Sequence, residues 1–196
     1  MIRRPAGALI LVQEGDPGPR VLMIQRPHSM HHFPGLWSFP GGQEEPEDQG
    51  GREWVDLSHP VCLSTAGYLH RWNLPAPPVE SWLPADNPRA VQAAARTAWR
   101  EALEELGAGL SLAVPEHRGM RYLGRLSPPP QVAFGFDTRF FALAAAPFKT
   151  APRSGEVAQV RWVTLVEALH REMPMAQPTQ YVLERLGTCL QSGKQP

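Results

Sequence analysis

The chain has little cysteine, no excess charge of either sign and no long apolar run. Its two cysteines, Cys62 and Cys189, do not have the spacing of a metal-ligand motif. The apolar stretch at residues 6–12 is short for a secretory signal and lacks a clear cleavage site, so we expect two reduced thiols in a cytoplasmic protein. Nineteen Lys and Arg balance nineteen Asp and Glu, which gives no electrostatic reason to expect nucleic acid as a partner. No stretch reaches the ~20 apolar residues of a membrane helix, so no membrane partner is expected.

Proline, in contrast, is abundant, with 22 residues. The prolines cluster within residues 75–88 and 128–130, and such clusters mark loops rather than the interiors of helices or strands. The chain length fits one domain, and 42% hydrophobic residues suffice for a substantial core. We therefore predict a single domain over residues 1–196 that carries an inserted segment at about 50–88.

Apolar patterning predicts strands and helices that alternate without a regular repeat. The pattern favours a hairpin, a short strand, one long helix that stops at Gly107, three further strands and two C-terminal helices. The predicted strands cover residues 6–13, 21–25, 37–39, 121–126, 138–144 and 157–163, and the predicted helices cover 91–106, 165–171 and 179–191. This order indicates an α/β protein with a mixed sheet flanked by helices.

The densest group of charged residues lies at residues 100–105, inside the predicted long helix. At about 100° per residue, Glu101, Glu104 and Glu105 share one face of that helix, and the apolar residues fall roughly opposite. The helix is therefore predicted to pack through one side and to present three carboxylates on the other. Carboxylates this close repel each other, and Arg100 cannot neutralise all three. A divalent cation that prefers oxygen ligands would do so; the alternative is an ordinary solvated acidic face.

These residues resemble the Nudix box, Gly-x5-Glu-x7-Arg-Glu-U-x-Glu-Glu-x-Gly-U, in which U is apolar. Residues 100–108 match its second half at every specified position, and residues 39–42, Phe-Pro-Gly-Gly, look like the strand and turn that open it. The resemblance implies the Nudix α/β/α sandwich with a central mixed sheet. It also implies hydrolysis of a diphosphate linkage by attack of water on phosphorus. The implied metal is Mg²⁺, with Mn²⁺ as an alternative, bound by Glu101, Glu104, Glu105 and the Gly42 carbonyl, while Arg100 orients the carboxylates.

The box is interrupted in this chain. Gly42 and Arg100 are separated by 57 residues. Gln92 stands eight places before Arg100, where the family pattern has Glu. Counting forward from Gly42 instead, the Glu position falls at Asp48, and Glu45 is another acidic residue in between. One interpretation is a box split by the insert, with Asp48 in its first half; the other is an ordinary acidic loop.

A long insert in the box is similar to the coenzyme A diphosphatase branch of the family. The segments 136–141 and 160–163 resemble that branch as well. Residues 22–42 fit the coenzyme A signature of another Nudix branch only in part, since Ile24, Pro27 and His31 break it. The resemblance implies a small-molecule nucleotide substrate, with coenzyme A or an acyl derivative as the main hypothesis. The alternatives are a nucleotide-sanitising, nucleotide-sugar or ADP-ribose pyrophosphatase, and a non-catalytic module that senses a nucleotide.

Further site residues follow from position in the resemblance. Arg26 and Arg139 are candidates for binding a substrate phosphate, because a guanidinium matches phosphate oxygens. Phe39 and Gly41 are candidates for substrate contact at the opening of the box. Glu156, directly before a predicted strand, is the candidate for a loop base, with a surface charge as the alternative. The sequence does not decide whether the protein forms a homodimer.

Overall fold

The computed structural model describes residues 2–51, 53–57, 61–107, 109–110, 119–149, 151–152, 155–170 and 173–191. Two predicted positions, Ala108 of the acidic motif and Arg171, lie outside these residues. The strands are β1 Ile2–Gln13, β2 Arg20–Gln25, β3 Trp37–Ser38, β4 Gly41–Gln43, β5 Arg121–Leu126, β6 Phe134–Ala144 and β7 Gln159–Thr164. The helices are α1 Thr65–Arg71, α2 Pro88–Leu106, α3 Leu165–Leu169 and α4 Gln177–Gln191. None of the helices in the described part of the chain is long and apolar enough to cross a membrane.

The sheet is mixed and is built around β1. Strand β1 runs parallel to β6 along its full length, whereas the other strand pairs are antiparallel. The C-terminal end of β1 pairs with β2 at Val12, and its N-terminal half pairs with β4 at Ala6, Gly7 and Ala8. Two different strands therefore border β1 in succession. The sheet opens where β2 and β4 diverge from each other, and residues 39–42 lie at this opening, at the start of β4.

Helices cover both faces of this sheet, which confirms the predicted α/β/α arrangement. Leu9 and Leu11 of β1 face α2, while Ile10 faces the core under α1 and α4. Helix α2 approaches β1 very closely at Gly7, where a Cβ would lie 2.0 Å from the carbonyl oxygen of Ala94. Only glycine permits that distance. Gly7 thereby sets how near the acidic end of α2 lies to the strands that form the site.

Local sequence explains the bounds of α2. The Asn87 side chain accepts a hydrogen bond from the Ala90 amide at 2.8 Å, and Pro88 occupies the first turn, where its missing N–H costs nothing. The helix ends at Gly107, whose φ of 73° lies in the left-handed region that favours glycine. The predicted helix is confirmed, and it begins three residues earlier than predicted.

Helix α1 was not predicted, since it lies in the Pro- and Gly-rich segment. Ser64 caps it by accepting a hydrogen bond from the Gly67 amide at 3.1 Å. Its buried residue Tyr68 packs edge-on against Tyr181 of α4 at 5.8 Å between ring centroids. The segment is thus held by contacts with an element more than 100 residues away in the sequence. Whether residues 50–88 constitute an insert stays a prediction.

The prediction of two reduced thiols is wrong. Cys62 and Cys189 form a disulfide, with 5.5 Å between their Cα atoms. Residue 62 lies two places before the Ser64 cap of α1, and Cys189 is fully buried in α4. Packing of the α1 segment on α4 brings the two thiols together across 127 positions of sequence, a proximity that the sequence does not reveal.

Candidate active site

A cavity of about 690 Å³ opens where β2 and β4 diverge from each other along β1. One end is polar and is lined by Gly41, Gly42, Glu101, Arg26 and Glu156. The remainder is mainly apolar, and its walls come from β1, β3, β5, β6, α1 and the start of α4. The larger apolar and aromatic side chains there are Phe33, Leu36, Trp37, Phe39, Tyr68, Leu74, Leu126, Val132, Phe134, Phe136 and Phe140.

Glu105 is the most deeply placed carboxylate of the acidic helix. It is only 2% exposed, and its Oε2 accepts a hydrogen bond from the Gly41 amide at 3.1 Å. Burial raises its pKa to about 8, the nearby Glu101 adds to the rise, and the Gly41 hydrogen bond and Arg26 oppose it. The prediction that all three carboxylates lie on the outer face of α2 is wrong for this residue. Because small residues let α2 lie close to the sheet, the face of α2 that carries Glu105 points toward the sheet.

Glu101 lies over the backbone of Gly42. A Cβ on Gly42 would be 2.4 Å from the carboxyl carbon of Glu101, so a side chain at this position would displace the Glu101 carboxylate from where it lies. Burial raises the pKa of Glu101, Arg100 lowers it, and the charges of Glu104 and Glu156 raise it further. Carboxylates from α2 and from the loop before β7 therefore act on each other electrostatically at the polar end of the cavity.

Arg100 is held by Asp48, which lies in the 3-10 turn Pro46–Asp48. The Arg100 Nε and Nη2 donate to the two oxygens of Asp48 at 3.2 and 2.9 Å, and Nη1 donates to Glu101 at 2.9 Å. Although burial acts in the opposite direction, the Arg100 hydrogen bond and those from Glu45 and Thr97 keep the pKa of Asp48 below its usual value. This bidentate pair orients Arg100, and Arg100 in turn orients Glu101.

The same geometry favours the interpretation of a split box. Asp48 is 4% exposed, and it lies beside Arg100 across the intervening segment. Gln92, in contrast, is turned away from the acidic residues. Its side chain accepts from the amides of Trp54 and Val55 at 2.6 and 3.1 Å and donates to the Val55 carbonyl at 2.8 Å. Gln92 therefore anchors the segment, whereas Asp48 is the acidic partner of the box arginine.

Glu104 lies apart from the other two carboxylates. Its side chain is 57% exposed, and it contacts Arg100 at 3.4 Å. Within the described residues, no three His, Cys, Asp or Glu side chains are gathered closely enough to hold a metal ion as they stand. The donor set nevertheless suits Mg²⁺, which uses one or two carboxylates together with water and substrate phosphates. Glu101 and Glu105 supply two such carboxylates, and burial raises the pKa of Glu105 although the Gly41 amide and the charge of Arg26 act in the opposite direction.

Of the two arginines predicted to bind phosphate, only Arg26 lines the cavity. Its Nε donates to the His32 carbonyl at 3.2 Å, and its charge lowers the pKa of Glu105, so it faces the acidic end. Arg139 is 4% exposed and is paired with Asp86 at 2.7 and 2.9 Å. Alternation along β6 directs Thr138 and Phe140 into the cavity and Arg139 to the other face of the sheet. Arg139 is thus placed as a structural ion pair, which corrects its predicted role.

Two further predicted residues, Phe39 and Glu156, both line the cavity. Phe39 is buried and packs edge-on against Phe140 in the cavity wall, and Glu156 lines the polar end. Sequence reasoning missed Tyr68 and Ser127, which line the apolar part. The Ser127 hydroxyl is buried and has no hydrogen-bond partner among the residues that the structure describes. Neither residue belongs to a motif, and only the packing of α1 and the end of β5 brings them to the cavity.

Comparison with solved structures identifies the fold. A NUDIX hydrolase from Alicyclobacillus acidocaldarius is 25% identical, with a TM-score of 0.69 over 96% of this chain and 93% of that one. The NUDIX domain of Shewanella oneidensis NrtR complexed with ADP ribose is 17% identical, with a TM-score of 0.59 over 97% and 90%. A C. elegans Ap4A hydrolase in a binary complex is 14% identical, with a TM-score of 0.53 over 96% and 98%. No family model and no curated protein matches the chain.

Proposed function

We propose that this chain, which has the fold of solved Nudix hydrolases, cleaves the diphosphate linkage of a nucleoside diphosphate derivative with the help of a divalent metal ion. The observation that carries this proposal is the polar end of the cavity. There Glu101 lies over Gly42, Glu105 is buried against the Gly41 amide, and the charge of Arg26 acts on Glu105. A buried acidic pair beside a cation suits a metal and phosphate site better than it suits fold stability.

Glu101 and Glu105 would hold Mg²⁺, or alternatively Mn²⁺, and the exposed Glu104 is close enough along α2 to join them. The bound ion supplies neutralisation of the diphosphate charge and a lowered pKa of bound water. Arg100 positions Glu101 through its pair with Asp48, so that the carboxylate keeps its orientation. Gly42 gives the room that Glu101 occupies.

In the proposed reaction, a water oxygen forms a bond to one phosphorus of the diphosphate and the bond from that phosphorus to the bridging oxygen breaks. Glu156 accepts the proton of the attacking water, since it lines the cavity and interacts electrostatically with Glu101 and Glu105. Arg26 binds a phosphate oxygen and stabilises the charge that collects on the leaving phosphate. Two phosphate monoesters leave the site, and no covalent enzyme intermediate is needed.

The proposed substrate is coenzyme A or an acyl derivative, cut into 3′,5′-ADP and a 4′-phosphopantetheine compound. The apolar part of the cavity offers a path for its long uncharged arm. From β4 the lining continues across β1 and β6 to the end of β5, and three strand spacings correspond to about 14 Å. This path is apolar at Phe39, Phe140 and Leu126, and it ends at Ser127.

Two other candidates remain within the same reaction class. The NrtR domain was solved with ADP ribose, and the C. elegans neighbour is an Ap4A hydrolase, so ADP-ribose and related dinucleotides are alternative substrates. An oxidised nucleoside triphosphate is another, because residues 35–42 resemble nucleotide-sanitising members. A sensor that binds a nucleotide without cleaving it is the alternative from a different class. The crowded carboxylates at the polar end argue against it, since binding alone does not require them.

Chromatography of products distinguishes these candidates. The protein is incubated with coenzyme A, ADP-ribose or 8-oxo-dGTP, each with Mg²⁺ and with a chelator, and Glu105→Gln serves as the control. The proposal expects Mg²⁺-dependent formation of 3′,5′-ADP from coenzyme A by the wild type only. Intact coenzyme A beside rapid cleavage of a competitor would replace the substrate and retain the reaction. Binding of nucleotides without any turnover would favour the sensor.

A further inference from the structure

Phe33 is an exposed aromatic residue at the mouth of the cavity. Its side chain is 50% exposed, although it belongs to the residues that line the cavity. Its φ of 54° lies in the left-handed region, which is rare for a bulky side chain. We propose that Phe33 is the platform on which the nucleobase of the substrate stacks. This inference rests on the proposed function in one respect, because it takes the ligand to be a nucleotide.

The loop that carries Phe33 is held in its conformation by backbone hydrogen bonds. The Arg26 amide donates to the Leu36 carbonyl at 3.0 Å, the Gly35 amide donates to the Arg26 carbonyl at 3.1 Å, and the Leu36 amide donates to the Phe33 carbonyl at 3.2 Å. The loop is thus closed at its base and keeps Phe33 in an unfavourable backbone conformation. Strain of this kind is retained where the resulting side-chain position is needed.

Aromatic side chains near Phe33 have ring partners, whereas none of the described rings pairs with Phe33. Phe134 stacks with His32 at 5.5 Å between centroids, meets Phe136 edge-on at 5.6 Å and lies under the Arg4 guanidinium at 5.0 Å. No ring or guanidinium from the described part of the chain stacks on Phe33. Phe33 is therefore a half-exposed ring on which no described side chain stacks.

The position of Phe33 also fits one half of a nucleotide. Arg26 stands at the base of the same loop and lines the polar end of the cavity. A phosphate bound at Arg26 therefore leaves its nucleoside near the loop, where the base can lie on the Phe33 ring. Bases stack on aromatic side chains regardless of their hydrogen-bonding edges. Phe33 would then contribute to affinity for any nucleotide, while the opposite end of the cavity selects the second half of the substrate.

Equilibrium binding tests this role without requiring turnover. AMP and ribose 5-phosphate share the phosphate and the sugar and differ in the base. The affinity of each is measured by calorimetry on the wild type, on Phe33→Asn and on Phe33→Trp. Asparagine accepts the left-handed backbone conformation, so Phe33→Asn removes the ring without adding strain; the melting temperature should not fall.

We expect AMP to bind more tightly than ribose 5-phosphate to the wild type. Phe33→Asn should weaken AMP binding by at least about fivefold, since stacking contributes at this level or more for each base. Ribose 5-phosphate should change by less than about twofold on the same scale, and Phe33→Trp should retain AMP binding. Equal loss for both ligands would indicate a disturbed loop and would overturn the proposal. Unchanged AMP affinity, or no preference for AMP in the wild type, would overturn it as well. A protein that binds AMP through Phe33 and hydrolyses nothing would refute only the proposed function.

Discussion

The protonation of Glu105 should make the free energy of unfolding of the protein depend on pH. In the metal-free protein, burial raises the pKa of Glu105 from 4.5 to about 8. The folded state therefore retains a proton on Glu105 at pH values where the unfolded chain has released it. Stability tied to this proton is fully present below pH 4.5 and is lost as the pH rises toward about 8.

The size of the effect follows from the two pKa values. Each pKa unit corresponds to about 1.4 kcal/mol, so the interval from 4.5 to about 8 sets an upper limit of about 5 kcal/mol. Solvent relaxation around a buried carboxylate reduces the amount, and a loss of about 2 kcal/mol or more is expected. Because the mechanism is the cost of burying a charge, the isosteric neutral variant Glu105→Gln should not show it. Its amide oxygen can still accept the hydrogen bond from Gly41.

The assay is denaturant unfolding in the presence of a chelator, across a pH series that brackets 4.5 and 8. The quantity of interest is the free energy of unfolding of the wild type minus that of Glu105→Gln, which cancels the titration of groups common to both, such as Asp48. This difference should fall as the pH rises, and Mg²⁺ should restore it most at the alkaline end. A difference that is constant with pH, or that increases, would refute the burial of Glu105 as an unneutralised carboxylate.

Three further predictions concern the framework of the site. Asp48→Asn should lower kcat by at least about tenfold while the circular dichroism spectrum stays unchanged, because Arg100 loses the anion that positions it. An unchanged kcat would show that Asp48 does not serve as the acidic residue of the box. Gly7→Ala should destabilise the protein by about 2 kcal/mol or more in denaturant unfolding, since its Cβ would lie 2.0 Å from the Ala94 carbonyl oxygen, whereas Gly18→Ala, with no atom within 4 Å, should not. Replacement of both members of the 62–189 disulfide by serine should cost up to about 5 kcal/mol, given a separation of 127 residues; an equal free energy of unfolding with and without a reductant would contradict the disulfide.

Patterns within one element were predictable, and relations between elements were not. The apolar run of β1 and the start and stop signals of α2 identified both elements because each depends on neighbours in the sequence. A helical wheel gives the angle between Glu101 and Glu105, but not the face that meets the sheet. The close approach of α2 to β1 at Gly7 determines which face of α2 meets the sheet. Glu105 is buried as a result, instead of exposed.

The same limit explains the other differences. Strand alternation separates Arg139 from Thr138 and Phe140, yet the sequence does not reveal which face borders a cavity. Helix α1 contains few helix signals within a proline-rich segment, and its stability comes from packing on α4. The disulfide to Cys189 depends on that packing. Asp48 was found by counting from Gly42, because the spacing of the first half of the box survives the interruption.

The central claim is that α2 holds a metal ion that is essential for hydrolysis of a diphosphate. The most direct test is the rate of diphosphate cleavage as a function of Mg²⁺ concentration for the wild type, Glu104→Gln and Glu105→Gln, on the best substrate of the panel. We predict no turnover without Mg²⁺ and a saturable activation of the wild type. Each variant should lose at least about 100-fold in kcat at saturating Mg²⁺ while remaining folded, because a missing ligand charge weakens both metal binding and water activation. Near-normal rates for both variants, or full activity of the wild type in a chelator, would contradict the metal assignment.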